Sequence, residues 1–282
     1  MADLRLGMIQ MNSAVKDRDG NVDTALDYID QAVDMDADLI VLPEFFNTEY
    51  FAQYWDYSYM EYAEHQDGYT ISRMRKKAKE LGVHIAATIY EIEAPGIYFD
   101  TLFLINPAGD VSGKYRKTHP AAVRSVEKLF YRAGNRFPVW DVNGVKVSAV
   151  ICYDHVFPEA ARSATIHGAE LILGPFATKQ LPVWDELMIA RAFENGVYMA
   201  PCNKVGTEGT WTFSGASMVV DPAGNVLHRA STTDDEVFVV DIDRQRNIDA
   251  RISFPFLRDR RPEAYTALVQ DDELARQLPT NF

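Results

Sequence analysis

Three times in this chain a segment with helical apolar spacing closes on a glycine, and a short apolar run follows. Gly82 precedes Val83, Gly168 precedes Leu171–Leu173, and Gly196 precedes Val197. Glycine ends helices because it enters the left-handed conformation without a Cβ clash. Helix, glycine and strand in repeated alternation mark an α/β fold, in which helices cover a sheet.

The remaining segments fit that frame. Leu4–Met11 reads as a first strand. Asn21–Met35 reads as a helix, with Val22, Leu26, Ile29 and Val33 on one face. Ala37–Leu42 is the next strand. Thr70 is expected to cap a helix that carries Ile71, Met74, Ala78 and Leu81 inward. Ile85–Glu91, Tyr98–Asn106 and Asp110–Lys117 follow as strands, the last two joined by the turn Asn106–Gly109. A hairpin is antiparallel, so the sheet should be mixed. Residues 118–136 read as a loop with a short helix. Asn143–Gly144 signals a hairpin between Phe137–Asp141 and Gly144–Ile151. Helices are expected over Pro158–His167 and Pro182–Asn195. The last strands are Leu171–Leu173, Val197–Cys202, Ala216–Asp221, Val226–Arg229 and Glu236–Asp241, and the stretch around Gly206 and Gly209 reads as a loop. No linker interrupts the chain, so residues 1–282 read as one domain. From Asp243 on, the sequence is charged, broken by prolines and without a core pattern, and 243–282 is expected to form an arm on another subunit.

Two apolar runs and one alternating segment stop at a residue with chemistry. Val145–Ile151 ends at Cys152, and Pro158 then opens a helix. Ala37–Leu42 ends at Pro43 and Glu44, with Phe45 and Phe46 beside them. The alternating segment Asp110–Lys117 brings Lys117 to the edge of a turn. Ligands of open α/β sheets bind at such strand ends. Singly, each has a plain reading: Cys152 as a small buried hydrophobe, Glu44 as a rim carboxylate, Lys117 as a solvated charge. Together, each at a strand end, they point to one site.

In the same chain L-P-E-F-F stands at Leu42–Phe46, Y-R-K-T-H at Tyr115–His119, E-K-L-F-Y-R-A-G-N at Glu127–Asn135 and I-C-Y-D-H-V-F-P-E at Ile151–Glu159. C-N-K-V-G-T-E at Cys202–Glu208 and F-S-G-A-S with D-P-A-G at Phe213–Gly224 complete the set. In these motifs the chain resembles the nitrilase superfamily of carbon–nitrogen hydrolases. The resemblance implies a four-layer α-β-β-α sandwich of two mixed sheets. It implies a catalytic Glu–Lys–Cys triad at Glu44, Lys117 and Cys152, with Glu127 as the supporting glutamate. It implies hydrolysis of non-peptide C–N bonds with release of ammonia through a thioester, and no cofactor or metal.

The residue types suit that chemistry. A thiol attacks as its thiolate and needs a base, for which Glu44 is placed. The developing oxyanion needs fixed charge or donors, from Lys117 and the backbone N–H of Tyr153. A Cys–His dyad using His119 or His155 is the competing arrangement. Tyr50, His155 and Phe176 are candidate substrate contacts. The pattern C-x-D-x-x-F-P-E is most similar to the N-carbamoyl branch, but His155 and Val156 stand where carboxylate-binding members carry arginine. A ureido amine or neutral amide is therefore expected, with aliphatic amidase or nitrilase activity as the alternative. Glu49 and Asp56, in the aromatic stretch Asn47–Tyr62, would suit a cationic tail. A non-catalytic scaffold that binds a partner through those aromatics is the reading from another class.

Acidic residues outnumber Lys and Arg by 41 to 28, a formal charge of −13. That disfavours nucleic acid and anionic membranes, which select basic patches. Two cysteines provide no disulfide framework. The first residues carry no signal-peptide pattern, and a cytoplasmic setting is expected. The expected partners are a small amide or ureido substrate and a second copy, as a homodimer or higher homo-oligomer.

Overall fold

The computed structural model describes residues 2–179 and 182–270. The first half contains β1 (Leu4–Gln10), α1 (Arg18–Asp34), β2 (Leu39–Glu44), α2 (Tyr69–Leu81), β3 (His84–Ala94), β4 (Ile97–Ile105) and β5 (Val111–Arg116). The short α3 (Glu127–Phe130) leads to β6 (Trp140–Val142), β7 (Val145–Ala149), α4 (Pro158–Ile166), β8 (Leu171–Phe176), α5 (Trp184–Asn195) and β9 (Tyr198–Asn203). Then come β10 (Val205–Glu208), β11 (Trp211–Ser214), β12 (Met218–Val220), β13 (Val226–Arg229), β14 (Glu236–Ile242), α6 (Arg244–Ser253) and α7 (Phe256–Asp259).

Two six-stranded sheets result, ordered β14-β1-β2-β3-β4-β5 and β13-β12-β9-β8-β7-β6. Each has three parallel strands at its centre and antiparallel strands outside them. The strand period of two explains the layers. Leu4, Leu6, Met8, Leu39 and Val41 of the first sheet meet Val145, Val147, Leu171, Leu173 and Tyr198 of the second in one core between the sheets. The alternate residues Ile9, Ile40 and Leu42 pack on Val22, Ile29, Ile71 and Met74 of α1 and α2. Val150, Ile172 and Met199 pack on Ala160, Ala164, Met188 and Ala192 of α4 and α5. Three cores between four layers make the α-β-β-α sandwich. Among the described residues no helix is long and apolar enough to cross a membrane.

Several local expectations need correction. Thr70 lies inside α2, whose N-cap is Gly68; the Thr70 hydroxyl and backbone N–H instead hold Glu64. The stretch around Gly206 and Gly209 is the β10–β11 hairpin, not a loop. The tail's first helix, α6, docks on its own chain through polar anchors. Asn247 donates to the carbonyls of Glu170 and Gly196, and Arg244 pairs with Glu170 at 2.9 Å. The final residues of the expected arm lie outside the described ones.

Candidate active site

β2 ends at Glu44, and Phe45 turns the chain away with φ 51°. One Glu44 carboxylate oxygen accepts Lys117 Nζ at 2.7 Å, and the other accepts the Ala177 backbone N–H at 2.8 Å. Lys117, one residue beyond β5, also reaches the Glu127 carboxylate at 2.9 Å and lies 3.4 Å from Asp100 Oδ2. Glu127 opens α3 and accepts the Ala121 N–H at 2.6 Å and the Tyr50 hydroxyl at 2.7 Å. All four ionisable side chains are buried. Burial disfavours the Lys117 ammonium, but the charges of Glu127 and Glu44 outweigh it and hold the lysine well above its usual range.

Cys152 arrives from the second sheet. β7 carries the chain to a tight turn over Cys152–Val156, and Cys152 has φ 45°. A side chain in that left-handed region costs about 1–2 kcal/mol, so the surroundings must hold it there. Asp154 does so: it accepts the Ile151 N–H at 3.0 Å, the Tyr115 hydroxyl at 2.6 Å and both the backbone and ring nitrogens of His119. Cys152 itself is half-buried. Its thiol is pushed well above its usual range by burial and by the Glu44 charge, while Lys117 and the Ala177 N–H pull the other way. A thiol in that state rests protonated and needs a base to become nucleophilic.

The other candidates are placed as follows. The histidines serve elsewhere: the His119 ring bonds Asp154 and stacks on Phe157 at 3.9 Å. His155 meets the backbone carbonyl of Cys152 at 3.2 Å, and burial lowers its pKa to about 3. Phe176 packs between His155 and Trp184. Tyr153, after the cysteine, sets its ring edge-on to Phe157. The aromatic stretch divides: Tyr50 and Phe51 join a buried cluster with Phe45, Phe130 and Tyr131, while Trp55 and Tyr57 are exposed. The expected role of Glu49 and Asp56 is corrected. They line a surface cavity of about 600 Å³ whose walls include none of Glu44, Lys117, Glu127 or Cys152. Glu49 is occupied by the Tyr62 hydroxyl and the Lys16 N–H, and Asp56 by the Ser58 N–H.

Sequence reasoning assigned no role to Asp100, Asp154 or Ala177. Asp154 carried a signal, the D of I-C-Y-D in a turn, where Asp typically binds nearby N–H groups. Asp100 carried none, being one polar residue in an alternating strand.

Residues 5–252 match the carbon–nitrogen hydrolase family model. The chain belongs to the carbon–nitrogen hydrolase family. This hydrolase is 33% identical to a nitrilase of Pyrococcus abyssi over 93% of its own length and 99% of the relative's. It is 32% identical to the 2-oxoglutaramate amidase of Bacillus subtilis, covering 81% and 87% of the two chains. It is 30% identical to the N-carbamoylputrescine amidase of Oryza sativa, covering 89% and 90%. Among solved structures, a carbon–nitrogen hydrolase from Helicobacter pylori superposes with TM-score 0.89 at 26% identity, covering 95% of this chain and 98% of that one. An amidase of Nesterenkonia superposes at 0.80 with 27% identity, covering 94% and 97%; in it the acetamide moiety of fluoroacetamide is covalently added at the active-site cysteine.

Proposed function

We propose that this carbon–nitrogen hydrolase cleaves a primary amide or N-carbamoyl group through a thioester on Cys152. The observation that carries the reading is the half-buried thiol facing a buried cluster in which Glu44 and Lys117 lie 2.7 Å apart. Glu44 takes the thiol proton as sulfur attacks the carbonyl carbon. Lys117 and the Tyr153 N–H stabilise the oxyanion. Glu44 then gives the proton to the departing nitrogen, and ammonia leaves. Glu44 next deprotonates a water that attacks the thioester, and the thiol is restored. Glu127, fixed by Ala121 and Tyr50, holds the lysine in place. The covalent adduct in a glutamate-to-glutamine mutant of the Nesterenkonia amidase supports, by analogy, the cysteine as the nucleophile.

Within that chemistry, an N-carbamoyl amine or neutral primary amide is the expected substrate. The buried, uncharged His155 beside Cys152 supports this, since it offers no cation for a neighbouring carboxylate. A substrate panel tests it, with ammonia and carbon dioxide both measured; a ureido group yields both, and a simple amide yields ammonia alone. N-carbamoylputrescine, acetamide and propionamide should turn over faster than N-carbamoyl-α-amino acids and 2-oxoglutaramate. Preference for the carboxylate-bearing compounds would sink the substrate assignment, and hydrolysis of nitriles alone would replace it with nitrilase activity.

A further inference from the structure

Lys117 meets three carboxylates, and one of them lacks a hydrogen bond. Asp100 sits in mid-β4, opposite Tyr90 of β3, and its backbone carbonyl accepts the Lys117 N–H at 2.9 Å. The strand period turns its side chain to the same side as Leu102 and Leu104, into the space between the sheets. It is 0% exposed, and neither carboxyl oxygen has a donor. Oδ2 is 3.4 Å from Lys117 Nζ, but that ammonium already serves Glu44 and Glu127.

Three ionised carboxylates against one ammonium would leave two uncompensated charges in a space closed to water. A buried charge without partners neutralises rather than remaining ionised. Glu127 has the bonds an ionised carboxylate needs: Lys117 Nζ, the Tyr50 hydroxyl and the Ala121 N–H. Glu44 has Lys117 Nζ and the Ala177 N–H. Asp100 has none, so the first proton the cluster takes up belongs there. A protonated carboxyl gains the one donor it can offer to a neighbouring carboxylate.

We propose that Asp100 stands in the resting enzyme as a neutral carboxylic acid and is a positioning residue, donating a hydrogen bond to Glu44 and fixing the carboxylate taken above as the base. The positioning role rests on that reading of Glu44. Burial and the Glu44 charge push the Asp100 carboxyl well above the usual carboxylate range, with Lys117 opposing them. The titratable groups around it are Glu44 on β2, Lys117 beyond β5, Glu127 and Tyr131 from α3 and its end, and Cys152 on the turn after β7. The same face of β3 presents Thr88 and Tyr90, both uncharged at neutral pH. A neutral acid here cuts the excess to one negative charge, leaving Glu44 ionised to accept the thiol proton.

Asp100→Asn keeps the shape and a donor, whereas Asp100→Ala keeps neither. The Asn variant should retain kcat within about threefold. The Ala variant should lose about 10- to 100-fold in kcat with little change in KM, as expected for removing a hydrogen bond to a charged group. Infrared difference spectroscopy at pH 7 reads the proton directly. A carboxylic-acid carbonyl band should be present in the wild type and in Cys152→Ala, and absent in Asp100→Asn. Loss of no such band, or equal activity in the Ala and Asn variants, overturns the proposal. The band in Cys152→Ala does not depend on turnover. A band at Asp100 in a chain that hydrolyses no amide would therefore sink the proposed function and leave the protonated Asp100 standing.

Discussion

Among its described residues this hydrolase buries two lysines, each 2.7 Å from a buried glutamate, and they are held in opposite ways. Lys204 donates to Glu208 and to the backbone carbonyl of Thr48, one cation against one carboxylate. Its pKa is lowered, because burial outweighs its pairing with Glu208 and the more remote charges of Glu44 and Glu49. Lys117 faces Glu44, Glu127 and Asp100, and its pKa is raised. A balanced pair closes on itself and ties strands together. Glu208 also accepts the Tyr50 N–H at 2.6 Å, so this pair braces the residue whose hydroxyl holds Glu127. The unbalanced group has an excess of bases beside a half-buried thiol, which is what proton transfer requires. Partner count, not burial or distance, separates the two.

The largest expected difference is in catalysis. Lys117→Met should lower kcat/KM for the best amide by about 10³-fold or more, since it removes the charge aimed at the oxyanion and leaves two glutamates unpaired. Lys204→Met should act on stability instead, costing about 3–5 kcal/mol because the Glu208 charge is left buried without its cation. The folded fraction of that variant should keep kcat within about tenfold, with the loss passing through Tyr50. Thermal melting and active-site titration of both variants check this. A Lys204 variant that melts like wild type but turns over nothing would break the comparison.

The smallest effect concerns pH. Burial works against ionisation of Asp154, but bonds from His119, Tyr115 and the Ile151 N–H outweigh it and hold the carboxyl below its ordinary value. A depressed carboxyl adds stability that is complete above the unfolded-state value and lost as pH falls through the folded one. Acidification below about pH 4 should therefore lower Tm more in the wild type than in Asp154→Asn. Parallel curves would show that this carboxylate does not hold the cysteine turn.

The strand-end residues were legible in the sequence because an apolar or alternating run that stops at Glu, Lys or Cys is a local signal. The α/β class was legible through glycine-closed helices followed by strands, whereas the four layers came through the resemblance. Glu127 was reachable only through resemblance, since nothing local marks E-K-L-F as part of a site. Asp100 was hidden because its role depends on the β4–β5 pairing that sets it beside Lys117, and register is a long-range property. Lys204 and Glu208 were hidden likewise, in a hairpin whose glycines looked like loop. The helix α6 escaped notice because it docks by Asn247 and Arg244 rather than by an apolar stripe.

The measurement closest to the central claim is peptide mass spectrometry of enzyme quenched during turnover of a primary amide. The account predicts an acyl group replacing the thiol hydrogen of Cys152 and none on Cys202, which is fully buried with its thiol directed to the Ile9 carbonyl. Glu44→Gln should release ammonia at least about a hundredfold more slowly, since general-base catalysis contributes on that order. Undiminished ammonia release by Cys152→Ala, or an adduct on any other residue, would contradict it.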